Sequence, residues 1–234
     1  MIAAHIQLSA VSMNREIVRP DRGRVKKAVL HDVHLHIGSG ESVGVIGANG
    51  AGKTTLLRVI AGIFAPDYGQ VEVVGEVSTL LDAGFGLDAR LSGRQNCETR
   101  AIISGIDTSE IETFISFVRD FSELGNAFDQ PLLSYSTGMV TRLVFSMCTY
   151  KIHDILLIDE GIGTADAHFR EKAFAQLDEV YTQASIVILV SHDLQLLKRR
   201  CTRGVVLKSG QVVFDGLMND ALQYYLESEN IRLE

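Results

Sequence analysis

Residues 47 to 54 read Gly-Ala-Asn-Gly-Ala-Gly-Lys-Thr, a full match to the pattern GxxxxGK[ST]. Such a stretch can do one kind of chemistry well. Its glycines let the backbone wrap closely enough for successive N–H groups to point at phosphate oxygens. Gly47, Asn49, Gly50, Ala51, Gly52, Lys53, Thr54 and Thr55 would therefore cradle a nucleotide polyphosphate. The spacing of Leu56, Leu57 and Ile60 predicts a helix from Lys53 to Ala61, with Gly62 as its stop. That helix would aim its positive end at the same anion. Lys53 would neutralise β- and γ-phosphate charge, and the Thr54 hydroxyl would hold Mg²⁺.

About a hundred residues further on, Ile155 to Glu160 read ILLIDE. Four apolar residues predict a buried strand, and two carboxylates leave its C-terminal end, where ligands bind in open α/β sheets. Asp159 would orient the magnesium shell through its water, and Glu160 would act as general base on an attacking water. After the next apolar strand, Ile186 to Val190, comes Ser191-His192-Asp193. His192 could reach a γ-phosphate there and stabilise charge as the bond breaks.

The elements that must position these groups alternate. Strands are expected at roughly Ile6 to Met13, Val29 to Ile37, Ser42 to Ile46, Val71 to Val74 and Val77 to Leu81. From about Leu87 to Ser134 the texture turns polar and helical, which reads as an inserted subdomain. Strands resume at 155 and 186, and Val205 to Leu207 with Val212 to Phe214 suggest a hairpin. Leu217 to Leu226 reads as an amphipathic closing helix before an acidic tail. The expected fold is α/β: a phosphate-loop core, residues 1 to 86 and 151 to 226, with an N-terminal antiparallel β subdomain. A helical subdomain spans 87 to 150, and the acidic tail 227 to 234.

Composition removes other classes. The 234 residues are 46% hydrophobic and 22% charged, with a net charge of -7, which argues against a nucleic-acid partner. One stretch runs the other way: Arg15, Arg19, Arg22, Arg24, Lys26 and Lys27 outnumber Glu16 and Asp21, as a solvated loop or a loop near anionic lipid. Cys97, Cys148 and Cys201 form no CxxC pair, so neither a zinc site nor a disulfide framework is indicated, and a reducing cytosol fits. His31, His34 and His36 read as exposed strand positions rather than metal ligands. The N-terminal stretch lacks the layout of a secretory signal, and no apolar run is long enough to span a bilayer.

The order of these motifs resembles the nucleotide-binding domain of ABC transporters. A third motif lies between the other two: Leu132 to Met139, LLSYSTGM, stands in the place of that family's Leu-Ser-Gly-Gly-Gln signature. Ser136 precedes a helix carrying Val140, Leu143, Val144 and Met147, so its hydroxyl and nearby amides form an anion site. The resemblance implies a head-to-tail dimer of two copies, in which Ser136, Thr137 and Gly138 close over ATP held by the opposite copy. It also gives Asp166 a place in the loop crossing between sites and makes His192 the switch histidine.

Finer features are similar to bacterial exporters of lipid-linked polysaccharide, such as O-antigen, capsule and teichoic-acid systems. They are the signature itself, Leu80 to Asn96 (LLDAGFGLDARLSGRQN), Asp159 to Ala173 (DEGIGTADAHFREKA) and the lead-in Phe121 to Met139. The resemblance implies an ATP- and Mg²⁺-dependent ATPase subunit on the cytoplasmic face of the bacterial inner membrane. A polytopic permease would contact the glycan and meet this chain near Leu91 to Cys97. The rival reading is a soluble ABC-type regulator or clamp without a membrane subunit.

Two departures stand out. The usual glutamine is missing after Leu81, and Asp82 either binds Mg²⁺ there or merely ends a strand. No aromatic residue precedes Gly47 to stack on adenine, which leaves aliphatic packing from Ile17 or Val18. The appended carbohydrate-binding domain of some O-antigen exporters is not expected here.

Overall fold

A strand that is apolar at nearly every position belongs inside a sheet covered on both faces, and three strands of this chain are of that kind. The computed structural model describes residues 3–19, 23–80, 86–151, 153–159 and 167–229. In chain order the elements are β1 (His5–Arg19), β2 (Gly23–Gly38), β3 (Ser42–Ile46), α1 (Lys53–Ile60), β4 (Tyr68–Val74) and β5 (Val77–Leu80). Then come α2 (Gly93–Ile103), α3 (Ile111–Ser122), α4 (Thr137–Thr149), β6 (Ile155–Asp159) and α5 (Ala167–Gln183). Last are β7 (Ile186–Val190), α6 (Leu194–Arg200), β8 (Arg203–Lys208), β9 (Gln211–Leu217) and α7 (Met218–Ser228).

Contacts divide the chain into two units, one of residues 1–79, 153–159 and 184–234, the other of 80–152 and 160–183. The first holds a sheet in the order β5-β6-β7-β3-β8-β9 and an antiparallel sheet in the order β2-β1-β4. Strands β3, β6 and β7 are buried almost throughout, whereas β9 alternates exposed and half-buried residues at the sheet's edge. Val45 lies opposite Val190, and Asp159 opposite the same residue on the other side. The parallel strands β3, β7 and β6 therefore end in register, and whatever follows them leaves the sheet at one edge.

The antiparallel sheet corrects one expectation. Residues 14 to 19 and 23 to 28 were expected outside strands, as part of a loop, but β1 and β2 continue through them in the ladder Asn14↔Ala28 to Arg19↔Gly23. Charged side chains give no apolar alternation, so only the cross-strand hydrogen bonds decide the conformation there. Along β2 the histidines are exposed: His34 lies 3.1 Å from Asp32, His36 3.0 Å from Gln7, and His31 3.2 Å from Gln211. Among the described residues no group of three His, Cys, Asp or Glu side chains could hold a metal.

The helical unit has its own core, in which Cys97, Phe114, Val118, Phe128, Leu143 and Met147 pack together. Helix α2 is polar for its length, yet Ser92 and Gln95 close a capping box at its start, each side chain bonded to the other's backbone N–H. Helix α5 joins this unit through Phe169, whose ring meets Phe121 and Phe145 edge-on at 5.9 and 5.8 Å. Lys172 donates to the Phe121 carbonyl at 3.0 Å and to Glu123 at 2.7 Å. That hydrogen bond holds the Glu123 carboxyl below its usual range.

Candidate functional site

Strand β3 delivers the glycine-rich segment to the edge of the sheet, and α1 begins at Lys53 as expected. Gly52 is the residue before the helix, with φ +109°. A Cβ there would meet the Val29 carbonyl oxygen at 2.7 Å and the Leu30 side chain at 3.1 Å. A Cβ on Gly47 would run into the Leu207 carbonyl oxygen. From behind, the Gly210 N–H donates to the Ala51 carbonyl at 2.9 Å. The loop is thus held between β2 and the β8–β9 turn, and glycine is required because backbone fills the space.

Lys53 is only 7% exposed. Its ammonium donates to the Gly47 carbonyl at 2.6 Å and to the Ala48 carbonyl at 3.2 Å, so the charge lies folded over the loop. Among the described residues no side chain caps the N-terminus of α1, and no acidic residue occupies its first turn. An uncapped helix start wrapped by a glycine-rich loop suits an anion of several oxygens.

The Thr54 hydroxyl donates to Asp159 Oδ2 at 2.6 Å. This contact brings together the two halves of the motif, 105 residues apart in sequence. A hydroxyl and one carboxylate are hard oxygen donors, the set that suits Mg²⁺ when substrate phosphates and waters supply its other ligands. The residues present fit that ion.

Because β3, β6 and β7 end in register, Ser191 and His192 leave the sheet beside Gly47 and Asp159. His192 is exposed. Asp193, next in sequence, caps α6 by accepting from the Gln195 and Leu196 N–H groups at 2.9 and 3.0 Å.

Ser136, Thr137 and Gly138 belong to the helical unit. Ser136 is the N-cap of α4, its hydroxyl oxygen accepting from the Met139 N–H at 3.2 Å. Both Ser136 and Thr137 are exposed, so this helix start faces solvent within its own copy. Asp82, Glu160 and Asp166 lie outside the described residues, as do the side chains of Ile17 and Val18.

One feature beside the loop had no signal in the sequence. A recess of about 250 Å³ borders Asn49 and Gly50 and is lined by Lys208, Ser209, Tyr225 and Glu229. Lys208 and Glu229 pair at 3.0 Å, joining the β8–β9 turn to the residue after α7. The packing of α7 brings Tyr225 and Glu229 to the loop, beside the β8–β9 turn that is held there by Gly210.

The Gly52 geometry makes a direct prediction. Gly52→Ala must shift backbone rather than a flexible side-chain end, and should lower stability by about 2 kcal/mol or more in denaturant unfolding. Gly50 also has positive φ, +79°, but among the described residues nothing stands within 4 Å of its Cβ position. Gly50→Ala should cost about 1 kcal/mol. Equal midpoints for Gly52→Ala and the parent chain would contradict this packing.

Against known proteins, a family profile described as ABC transporter matches residues 30–163. The chain is 37% identical over 199 residues to the O-antigen export system ATP-binding protein RfbB of Myxococcus xanthus, covering 85% of this chain and 46% of that one. It is 38% identical to RfbE of Yersinia enterocolitica, similarly described, covering 80% of this chain and 79% of that one. A teichoic acids export ATP-binding protein, TagH of Lactococcus lactis, is 38% identical, with 84% of this chain and 42% of that one covered. The chain thus spans less than half the length of the Myxococcus and Lactococcus relatives. Among solved structures, the fold matches an ATP-binding cassette dimer in a post-hydrolysis state bound to ADP and Pi, with a TM-score of 0.73. That match has 21% identity and covers 91% of this chain and 98% of the other. An ABC transporter ATP-binding subunit matches with a TM-score of 0.74 at 20% identity, over 98% of this chain and 95% of the other.

Proposed function

The chain belongs to the ABC transporter family, and from that premise we propose that it is the ATP-binding and ATP-hydrolysing subunit of an exporter of lipid-linked polysaccharide. The observation that carries the reading is the 2.6 Å hydrogen bond from Thr54 to Asp159, made beside a buried Lys53 folded over its own loop. It supports reading the glycine-rich loop as a phosphate cradle and Asp159 as its cation-binding carboxylate, the arrangement that nucleoside triphosphate hydrolysis needs.

In this reading the amides of Gly50 to Thr55 grip the β- and γ-phosphates, and Lys53 leaves the Gly47 and Ala48 carbonyls to neutralise them. Thr54 and Asp159 would hold Mg²⁺, with Asp82 as a further candidate, and the ion would supply charge neutralisation at the phosphates. Glu160 takes the proton of the attacking water, and His192 donates toward the γ-phosphate. Ser136, Thr137 and Gly138 of a second copy cap the same phosphate from the start of α4, and Asp166 sits in the loop between the two sites. ATP binding then favours the closed dimer because only that state gains the contacts across copies. Hydrolysis removes them.

The relatives, whose descriptions are O-antigen export and teichoic acids export, support this reading of the exported material and of a membrane partner. We assign the chain to the cytoplasmic face of the inner membrane, against a polytopic permease that contacts the glycan. Among the described residues no helix is long and apolar enough to cross a membrane, so the partner would supply the pathway.

The test is co-purification. Detergent-solubilised membranes, pulled through this chain, should yield a polytopic protein, and cells lacking the chain should retain a lipid-linked polysaccharide inside. Recovery from the soluble fraction alone, with no retained glycan, would favour an ABC-type regulator instead.

A further inference from the structure

Beyond the Ser12↔Tyr68 pairing, β1 has β2 as its neighbour and β4 no longer accompanies it. What remains is a two-stranded ribbon of six rungs, Asn14↔Ala28 to Arg19↔Gly23. At about 3.3 Å per residue it runs on the order of 20 Å along the strand from the last β4 pairing. Arg15, Arg24, Lys26 and Lys27 are exposed on it. Residues 14 to 27 contain six basic and two acidic side chains, in a chain whose net charge is -7. The rest of the chain is therefore more acidic than the whole.

Among the described residues, opposite charges on the ribbon are weakly placed to cancel this excess. Glu16 stands 3.5 Å from Arg24, with both side chains more than half exposed. At the ribbon's base Asp67 feels Lys26, but its carboxylate accepts from the Asn14 backbone N–H at 2.6 Å and the Asn14 side chain at 3.1 Å. Acidic charge elsewhere on the chain is screened from the far rungs by salt, whose Debye length is about 8 Å.

Aromatic rings stand beside the cations. The Arg15 and Arg58 guanidinium groups each lie 5.6 Å from the centre of the Phe64 ring. Tyr68, at the first rung of β4, is 70% exposed. Cations on a strand that also pairs with an exposed tyrosine suit a surface with anionic headgroups over an apolar interior, because tyrosine places its ring at that boundary. A nucleic acid is a poorer match. Asn14, an amide suited to reading a base edge, is turned to Asp67.

We propose that the β1–β2 ribbon, through Arg15, Arg24, Lys26 and Lys27, docks on the anionic lipid headgroups of the membrane. The inference builds on the membrane-side placement proposed above and adds a contact that needs no permease. It gives an acidic subunit one foothold on an anionic surface.

Purified full-length chain is spun with vesicles of phosphatidylglycerol mixed with phosphatidylcholine, and with phosphatidylcholine alone. Binding is expected to the anionic vesicles and to weaken as salt is raised. Each cation near such a surface contributes about fivefold in partitioning, so the combined Arg24→Gln, Lys26→Gln and Lys27→Gln chain should bind on the order of a hundredfold less. Lys26→Arg with Lys27→Arg should bind like the parent. All the substituted side chains are exposed, and an unchanged unfolding midpoint certifies the comparison. Equal binding to neutral vesicles, undiminished binding by the triple variant, or equal competition by duplex RNA would each overturn the lipid assignment. The assay uses no nucleotide, so a failure of the ATPase reading would leave its result standing, and the reverse holds too.

Discussion

Replacing Lys53 by alanine is expected to abolish measurable ATP turnover and to weaken ATP binding on the order of a hundredfold or more. Two physical effects combine. The first is loss of a buried cation from the phosphate cradle; charged groups aimed at phosphoryl oxygens in such sites contribute about 3–4 kcal/mol. The second acts without nucleotide. Lys53 is 7% exposed and satisfies the Gly47 and Ala48 carbonyls, so its removal takes donors from both, at about 1–3 kcal/mol for a group left unpaired. Lys53→Ala should therefore also unfold at lower denaturant concentration. Titration calorimetry with ATP and a denaturant curve separate the two effects. Unchanged affinity in a folded Lys53→Ala chain would remove the phosphate-loop assignment.

Glu160→Gln is expected to leave binding intact and to slow turnover strongly. Glutamine keeps the shape of the side chain but cannot take a proton, so hydrolysis should slow by at least roughly a hundredfold, the range for losing a general base. Affinity for ATP should persist, because the cradle of Lys53 and Thr54 is unaltered. Single-turnover hydrolysis beside equilibrium binding gives both quantities. A Glu160→Gln chain that turns over at the parent rate would move the base elsewhere, with His192 the next candidate at that sheet edge.

The phosphate loop was legible because its chemistry is local: eight consecutive residues carry the pattern, and glycine at 52 is demanded by backbone that crowds it. The strands β3, β6 and β7 were legible as well, since burial on both faces leaves a continuous apolar run. The ribbon was not. Arg15, Glu16, Arg24, Lys26 and Lys27 show no apolar period, and a ladder between two segments fixes their conformation. Helix α5 was also hidden, because its place depends on Phe169 meeting rings from α3 and α4. The recess beside Asn49 depends on α7 in the same way. Ser136 was recognised from its position before a helix, and its hydroxyl does cap α4. The capping contact is local; a role across copies is a property of two chains.

That role across copies can be measured directly. Glu160→Gln chain is titrated with ATP and Mg²⁺, and its mass and bound nucleotide are followed by sedimentation. The mass should double as ATP saturates, with one nucleotide bound per chain, and Ser136→Arg should hold the protein monomeric without releasing its nucleotide. A chain that binds ATP yet stays monomeric at saturation would contradict the composite site, and a chain that binds none would contradict the phosphate loop itself.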